Sequence, residues 1–281
     1  MQIAYSTYGL QSVDPIDAVE GVKGIGYDGL EINCGDDWAT APDRFGEADR
    51  KALCDAYQRA SFPPPVMMNL IHLCAHDEDV EEKTNRLATT CRLARDLCWL
   101  DRPSVVTTTL GKQSGTWEEA RDSIVENLQP YADVAGDHNV ILAVEAHVGQ
   151  EMDTPEKAKW LAQAMDHPNL KLNFDYSHFL MLDIDLQHSL DLNAEHSVHT
   201  HIKDGRMVDG KVQFALPGDD RLDLVDYLQR VQDAGLDVPI TVEVSAQIWK
   251  REDYDPWGTA EHCFGKLNKA RETVESSLDT P

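Results

Sequence analysis

The sequence predicts one α/β domain, a single (β/α)8 TIM barrel spanning residues 1–281. Three observations predict it. Eight short apolar runs alternate with eight helical segments, and strict alternation gives parallel strands joined by right-handed crossovers. The length, 281 residues, suits such a barrel, which typically runs to about 250 residues as one domain. No Gly-x-Gly-x-x-Gly follows the first strand and no Gly-Lys-Ser/Thr phosphate loop occurs, which disfavours an open nucleotide-binding sheet.

The elements follow in order. Ile3 to Tyr8 reads as the first strand, ended by Gly9. Asp14-Pro15 starts a helix, with Asp as N-cap and Pro at the first helical position, and Gly24 and Gly26 end it. Gly26 to Asn33 is a turn and the second strand, and a helix runs from about Asp49 to Ala60. Pro63-Pro64-Pro65 leads into strand three, Val66 to Ile71, finishing at His72. A helix from about Asp77 to Leu100 carries Cys91 and Cys98 on its core face, and Val105 to Leu110 is a β-branched fourth strand. Thr116 and Glu119 form a capping box on the next helix. Strands five, six and seven are Val140–Glu145, Leu170–Phe174 and Val198–Ile202. A helical crossover, Asp183 to Glu195, lies between the last two, and Gly205, Gly210 and Pro217-Gly218 mark a long loop after strand seven. A helix from Arg221 to Ala234, strand eight (Ile240 to Val244), a long loop with Trp249 and Trp257, and a final helix complete the chain.

Composition narrows the function. Acidic residues number 50 against 25 basic ones, a formal charge of −25. Such a surface repels nucleic-acid backbones and anionic membranes and suits solubility in a saline medium. Six cysteines without a CxxC pair fit a reducing compartment. No signal peptide and no run of about 18 apolar residues is evident, so the cytoplasm is the expected location. Homo- or hetero-oligomers are both compatible with the chain.

Chemistry in a barrel concentrates at the C-terminal ends of the strands. Glu145, Asp175, His201 and Glu243 end strands five to eight. A single Glu or His at a strand end is usually a cap, an ion pair or a core histidine. Four on consecutive strands are different, because three packed carboxylates raise one another's pKa at high cost unless a cation joins them. Carboxylates plus one imidazole, with no thiolate, suit Mn2+, Mg2+, Co2+, Fe2+ or Zn2+, with Mn2+ placed first. His147 lies two residues beyond Glu145, on the same face of an extended segment. His72, ending strand three, and Trp38, following strand two, are candidates for lining a sugar pocket. His76, His138, His167, His188 and His262 read as surface residues.

Glu145, Asp175-x-x-His178, His201-x-Lys203-Asp204 and Glu243 resemble the xylose isomerase-like barrel superfamily, and the resemblance spans the whole chain. It implies one divalent cation held by Glu145, Asp175, His201 and Glu243. It also implies Glu145 and Glu243 as the acid/base pair of a sugar or keto-sugar isomerase or epimerase working through a metal-stabilised enediolate. Glu151 and His178 match substrate-binding positions. Epimerases of the group carry an Arg six residues after the His ligand; here that position is Met207, with Arg206 beside it, so Lys203 or Arg206 would have to substitute. The Asp-x-His pair of endonuclease IV is missing. Glu145-Ala146-His147 is similar to barrels acting on 3-keto-sugars, which implies an alternative: a lyase on a keto-glycoside or keto-inositol with His147 as acid/base. A third reading, a non-catalytic sugar-binding barrel, is disfavoured by the intact Glu145/Glu243 pair.

Overall fold

A computed structural model describes residues 1–75 and 79–278. Eight parallel strands close into a barrel: β1 (Ile3–Ser6), β2 (Gly29–Asn33), β3 (Met67–Met68), β4 (Ser104–Thr109), β5 (Val140–Glu145), β6 (Leu170–Asp175), β7 (Ser197–Ile202) and β10 (Ile240–Val242). They lie in sequence order around the barrel, β10 closing on β1. Between β7 and β10 the chain makes an antiparallel hairpin, β8 (Asp204–Val208) and β9 (Lys211–Ala215). The major helices are α1 (Pro15–Ile25), α2 (Glu47–Ala60), α3 (Val80–Asp96), α4 (Trp117–Asp137), α5 (Pro155–Met165), α6 (Tyr176–Leu180), α7 (Leu186–Asn193), α8 (Leu224–Asp233), α9 (Ala246–Trp249) and α10 (Pro256–Leu278). Among the described residues, no helix is long and apolar enough to cross a membrane.

The pleat divides each strand between two environments. Leu142 and Val144 of β5 and Leu172 and Phe174 of β6 belong to the apolar layer under the helices, and all are buried. Each such side chain contributes about 1.5–3 kcal/mol by leaving water. The alternate positions, Glu145, Asn173 and Asp175, form a polar cluster inside the barrel with His199 and His201 of β7. Register fixes their levels: Glu145 pairs with Asn173, Asn173 with His199, and Asp175 with His201. An irregularity in the β6–β7 ladder between Leu172 and Asn173 sets that last alignment, with Leu172 opposite Ser197 and the next residue opposite His199.

Several expected elements differ in the structure. Strand three shortens to Met67–Met68. The three prolines before it offer no N–H, and after it Ile71 turns back on Asn69 while His72 adopts φ +56°. The helix expected from Asp77 begins, as described, at Val80; His76 and Asp77 lie outside the described residues. Cys91 is in the core, but Cys98, beyond the end of α3 at Asp96, is only half-buried. Of the other surface histidines, His188 and His262 are exposed and His138 and His167 half-buried. A further short helix, α6, follows strand six directly, capped by Asp175, whose carboxylate accepts from the Ser177 amide. Trp249 sits on a short helix capped by Ser245.

The largest difference is the β8–β9 hairpin in place of a long loop. Asp209 (φ +49°) and Gly210 (φ +73°) make its turn, the conformation that matches the twist of two paired strands. Asp204 anchors it. Its buried carboxylate accepts from the backbone amides of Gly205, Asp220, Arg221 and Leu222. At Gly205 (φ +141°) a Cβ would meet the Gln213 carbonyl at 2.2 Å, so only glycine fits there.

Candidate metal centre

Glu145, Asp175, His201 and Glu243 converge at the C-terminal mouth, each offering one ligand atom within 4.8 Å of the others. All four are buried. Glu145 and Asp175 end β5 and β6, His201 is the penultimate residue of β7, and Glu243 follows β10 directly. The Glu243 amide donates to the Ile202 carbonyl, which keeps that residue level with the cluster. Nδ1 of His201 faces inward, 3.1 Å from Glu145 Oε2 and 3.4 Å from Glu243 Oε2.

The orientation of His201 comes from Glu31, which the sequence reading did not single out. Glu31, on β2, lies across the barrel from His201, and its Oε2 is 2.9 Å from Nε2. The same oxygen lies 2.8 Å from His199 Nε2. Burial alone would raise the Glu31 pKa, but the His201 charge and the two imidazole hydrogen bonds outweigh it and hold the group well below the usual carboxylate range. A carboxylate that fixes the outer nitrogen of an imidazole leaves the inner one aimed at the ligand position. His199, although bonded to Glu31, is held neutral by burial, and its pKa is lowered. His201 has the opposite fate. Burial disfavours its charge, yet Glu31, Glu243 and Glu145 raise its pKa well above the ordinary value.

The two glutamates are driven apart. Burial raises both, but the Lys203 ammonium and hydrogen bonds from His178 and His201 hold Glu145 well below the usual range. Glu243 stays raised despite Lys203 and His201, because burial and the charges of Glu145 and Asp175 prevail. Lys203 reaches in from the end of β7 and bonds both Asp175 and Glu243. A cation therefore already bridges two of the four candidate donors, and the donor set of three carboxylates and one imidazole fits a hard to borderline divalent ion.

The remaining candidates divide into two groups. His178 is fully buried, with Nε2 3.0 Å from Glu145 Oε1, and its Nδ1 has no hydrogen-bond partner among the described residues. The His147 ring lies 4.0 Å from the His178 ring. Its Nδ1 is 2.7 Å from the Val148 carbonyl, which leaves Nε2 as the free acceptor. Burial, then the neighbouring His178, pushes its pKa down to about 3. Trp38 stacks on Tyr8, and both pack edge-on against Trp249, making an aromatic wall. Tyr8, another residue the sequence reading missed, is electrostatically part of the site: burial, then Glu243 and Glu145, push its hydroxyl up to about 12.

Three further candidates have other partners. Arg206 is exposed and paired with Asp220, because the hairpin turns its side chain outward. Glu151 accepts from the Gln113 amide at 2.6 Å, tying together the loops after β5 and β4. His72 sits at a left-handed position with Nδ1 on the Thr109 hydroxyl, 2.7 Å away. The hairpin also brings in Phe214: its ring lies edge-on to His178 at 5.7 Å and under the Lys203 ammonium at 5.6 Å.

Fold and site define a (β/α)8 barrel with a buried carboxylate–imidazole cluster at its catalytic end. The chain belongs to the xylose isomerase-like TIM barrel family, whose model matches residues 19–260. Among curated proteins it is similar to an inosose dehydratase of Geobacillus thermodenitrificans (strain NG80-2), 25% identical over 141 residues that cover 45% of this chain. That match spans about half, 47%, of the relative's length. Among solved structures it is similar to the probable 3-DHS dehydratase AsbF of Bacillus anthracis, with a TM-score of 0.78, 15% identity, and 95% and 99% of the two chains covered. It is equally similar to the D-psicose 3-epimerase of Clostridium cellulolyticum H10, with a TM-score of 0.77, 16% identity and 98% and 99% covered. At these identities the structural matches speak to fold, and they include both epimerase and dehydratase neighbours.

Proposed function

We propose that this protein is a divalent-metal-dependent isomerase or epimerase of a small sugar or keto-sugar. One observation carries the reading: Glu145 and Glu243 adjoin the same imidazole nitrogen, while their surroundings push their proton affinities in opposite directions. Two carboxylates so separated are suited to opposite halves of a proton exchange. Glu145, Asp175, His201 and Glu243 would hold the cation, with Mn2+ the first candidate, and the cation would supply the positive charge that stabilises an enediolate. Glu145, held ionised, removes a proton from the carbon next to the substrate carbonyl, and Glu243 returns one. Glu31 keeps His201 aimed inward, His178 offers a buried hydrogen bond to a substrate oxygen, and Tyr8, Trp38 and Trp249 provide the apolar wall that sugar C–H surfaces favour.

A second reading has its own support. His147 belongs to the Glu145–His147–His178 group, and with Nδ1 on the Val148 carbonyl its Nε2 would take the proton from the α-carbon and pass it to the leaving oxygen. The same enediolate would then collapse by expelling a β-substituent, making the protein a lyase on a keto-inositol or keto-glycoside; the curated relative is named a dehydratase. Incubating the Mn2+-loaded protein with ketoses, keto-inositols and keto-glycosides in D2O decides between them. Deuterium at the α-carbon without cleavage supports the isomerase or epimerase, and release of water or an aglycone supports the lyase. No exchange with any of these substrates would remove both and leave a sugar-binding barrel.

A further inference from the structure

We propose that Lys203 is a built-in counter-cation of this cluster, displaced when a divalent ion binds and restored when the ion leaves. The inference rests on the metal-site reading above and concerns how that site is controlled. Lys203 lies two residues beyond His201, so an extended chain carries it to the same face. Its ammonium bonds Asp175 Oδ2 and Glu243 Oε2, two of the four candidate donors, and is 4% exposed. Glu243 Oε2 also faces His201 Nδ1, so the oxygen that would complete a metal site is the one the ammonium holds.

Charge and geometry support this assignment. Three carboxylates gathered out of water need compensation, and an ammonium supplies it without fixed directionality. Its three donors rotate on a flexible four-carbon stem, unlike the planar fork of arginine. A divalent ion binds carboxylate oxygen and imidazole nitrogen at about 2.0–2.2 Å. An ion taking Asp175 Oδ2 and Glu243 Oε2 as ligands would compete with the ammonium for those oxygens, and the two cations would repel. The ammonium also faces the Phe214 ring at 5.6 Å, on a hairpin held at its base by Asp204. Once displaced, the ammonium is a mobile donor beside the pocket. The fold would then survive loss of the metal, and part of the ion's binding strength would be spent on expelling the lysine.

The test uses the full chain and Mn2+ alone. Lys203→Met keeps the stem and removes the charge. Its Mn2+ affinity, by titration calorimetry, is expected to tighten by about ten- to a hundredfold, the range that changes beside a metal's ligands produce. Its melting temperature in EDTA should fall further below that of the unmutated chain than its melting temperature with saturating Mn2+ does. Should Lys203→Met fail to fold in EDTA, Lys203→Gln, which can still donate hydrogen bonds, carries the same comparison. Equal or weaker Mn2+ binding by the variant, or an equal fall in melting temperature under both conditions, overturns the proposal. If neither chain binds Mn2+, the metal-site reading falls with it. That result differs from equal binding by both, which refutes the role of Lys203 alone.

Discussion

Replacing Glu31 by Gln tests how the site is aimed. Glu31 reaches the cluster through the outer nitrogen of His201 and through His199. An amide can donate to Nε2, which permits the tautomer that carries its proton on Nδ1, where a cation needs a lone pair. The substitution also replaces two charge-assisted hydrogen bonds, at 2.8 and 2.9 Å, each contributing about 1.5–3 kcal/mol. Part of that loss falls on folding. The part that falls on the metal is the orienting effect, a ten- to hundredfold loss of affinity, or about 1.4–2.7 kcal/mol. Mn2+ titration calorimetry in two buffers of different ionisation enthalpy measures affinity and proton release together. Glu31→Gln should bind more weakly and release fewer protons, because Glu31 is a principal group holding His201 charged. Glu31→Asp, which keeps the charge, should recover part of both. Unchanged affinity and unchanged proton release in Glu31→Gln would refute the positioning role.

Other outcomes follow from the same geometry. Metal affinity should fall as pH falls, since His201, whose pKa is raised, must give up its proton to coordinate; affinity independent of pH across the neutral range contradicts that assignment. For stability the sign at Glu31 is that of a depressed carboxylate. Its contribution is fully present above the ordinary carboxylate range and is lost as pH falls through its lowered folded value, so Glu31→Gln should flatten the acid limb of the stability curve. Asp204→Ala strands four backbone amides at the hairpin base. A loss of about 3 kcal/mol, or a melting temperature lower by roughly 6–12 °C, is expected by calorimetry, and an unchanged melting temperature counts against the anchor. His147→Asn should keep α-carbon deuterium exchange if Glu145 and Glu243 carry the protons; loss of exchange by about a hundredfold or more would move the acid/base role to His147.

What was legible in the sequence depended on repetition. Eight apolar runs with helices between them specify the barrel because each run repeats one constraint, and β5 falls on its expected residues. The four converging residues were legible for the same reason: strand ends meet by topology, whatever their sequence separation. Glu31 was not, because a lone Glu inside Gly29–Asn33 is indistinguishable from an exposed one until the barrel closes and sets it opposite His201, 170 residues away. The hairpin was readable in principle. Asp209-Gly210 is a strong two-residue turn signal, and Lys211-Val212-Gln213-Phe214 alternates polar with apolar, but the strand before the turn, Asp204–Val208, does not. Arg206 illustrates the cost of that omission. Two residues beyond Asp204 on a hairpin strand, its side chain is carried out to Asp220, while Phe214 of the facing strand covers His178. Lys203 was legible as a site residue; that its ammonium sits among the candidate ligands required the positions of Asp175 and Glu243.

Metal stoichiometry tests the four-residue centre most directly. The protein is loaded with Mn2+, passed through gel filtration and measured by elemental mass spectrometry beside Asp175→Asn and His201→Asn. One ion per unmutated chain is expected, with a sharp loss in both folded variants. An unmutated chain that retains no ion, or variants that retain a full complement, would contradict that expectation.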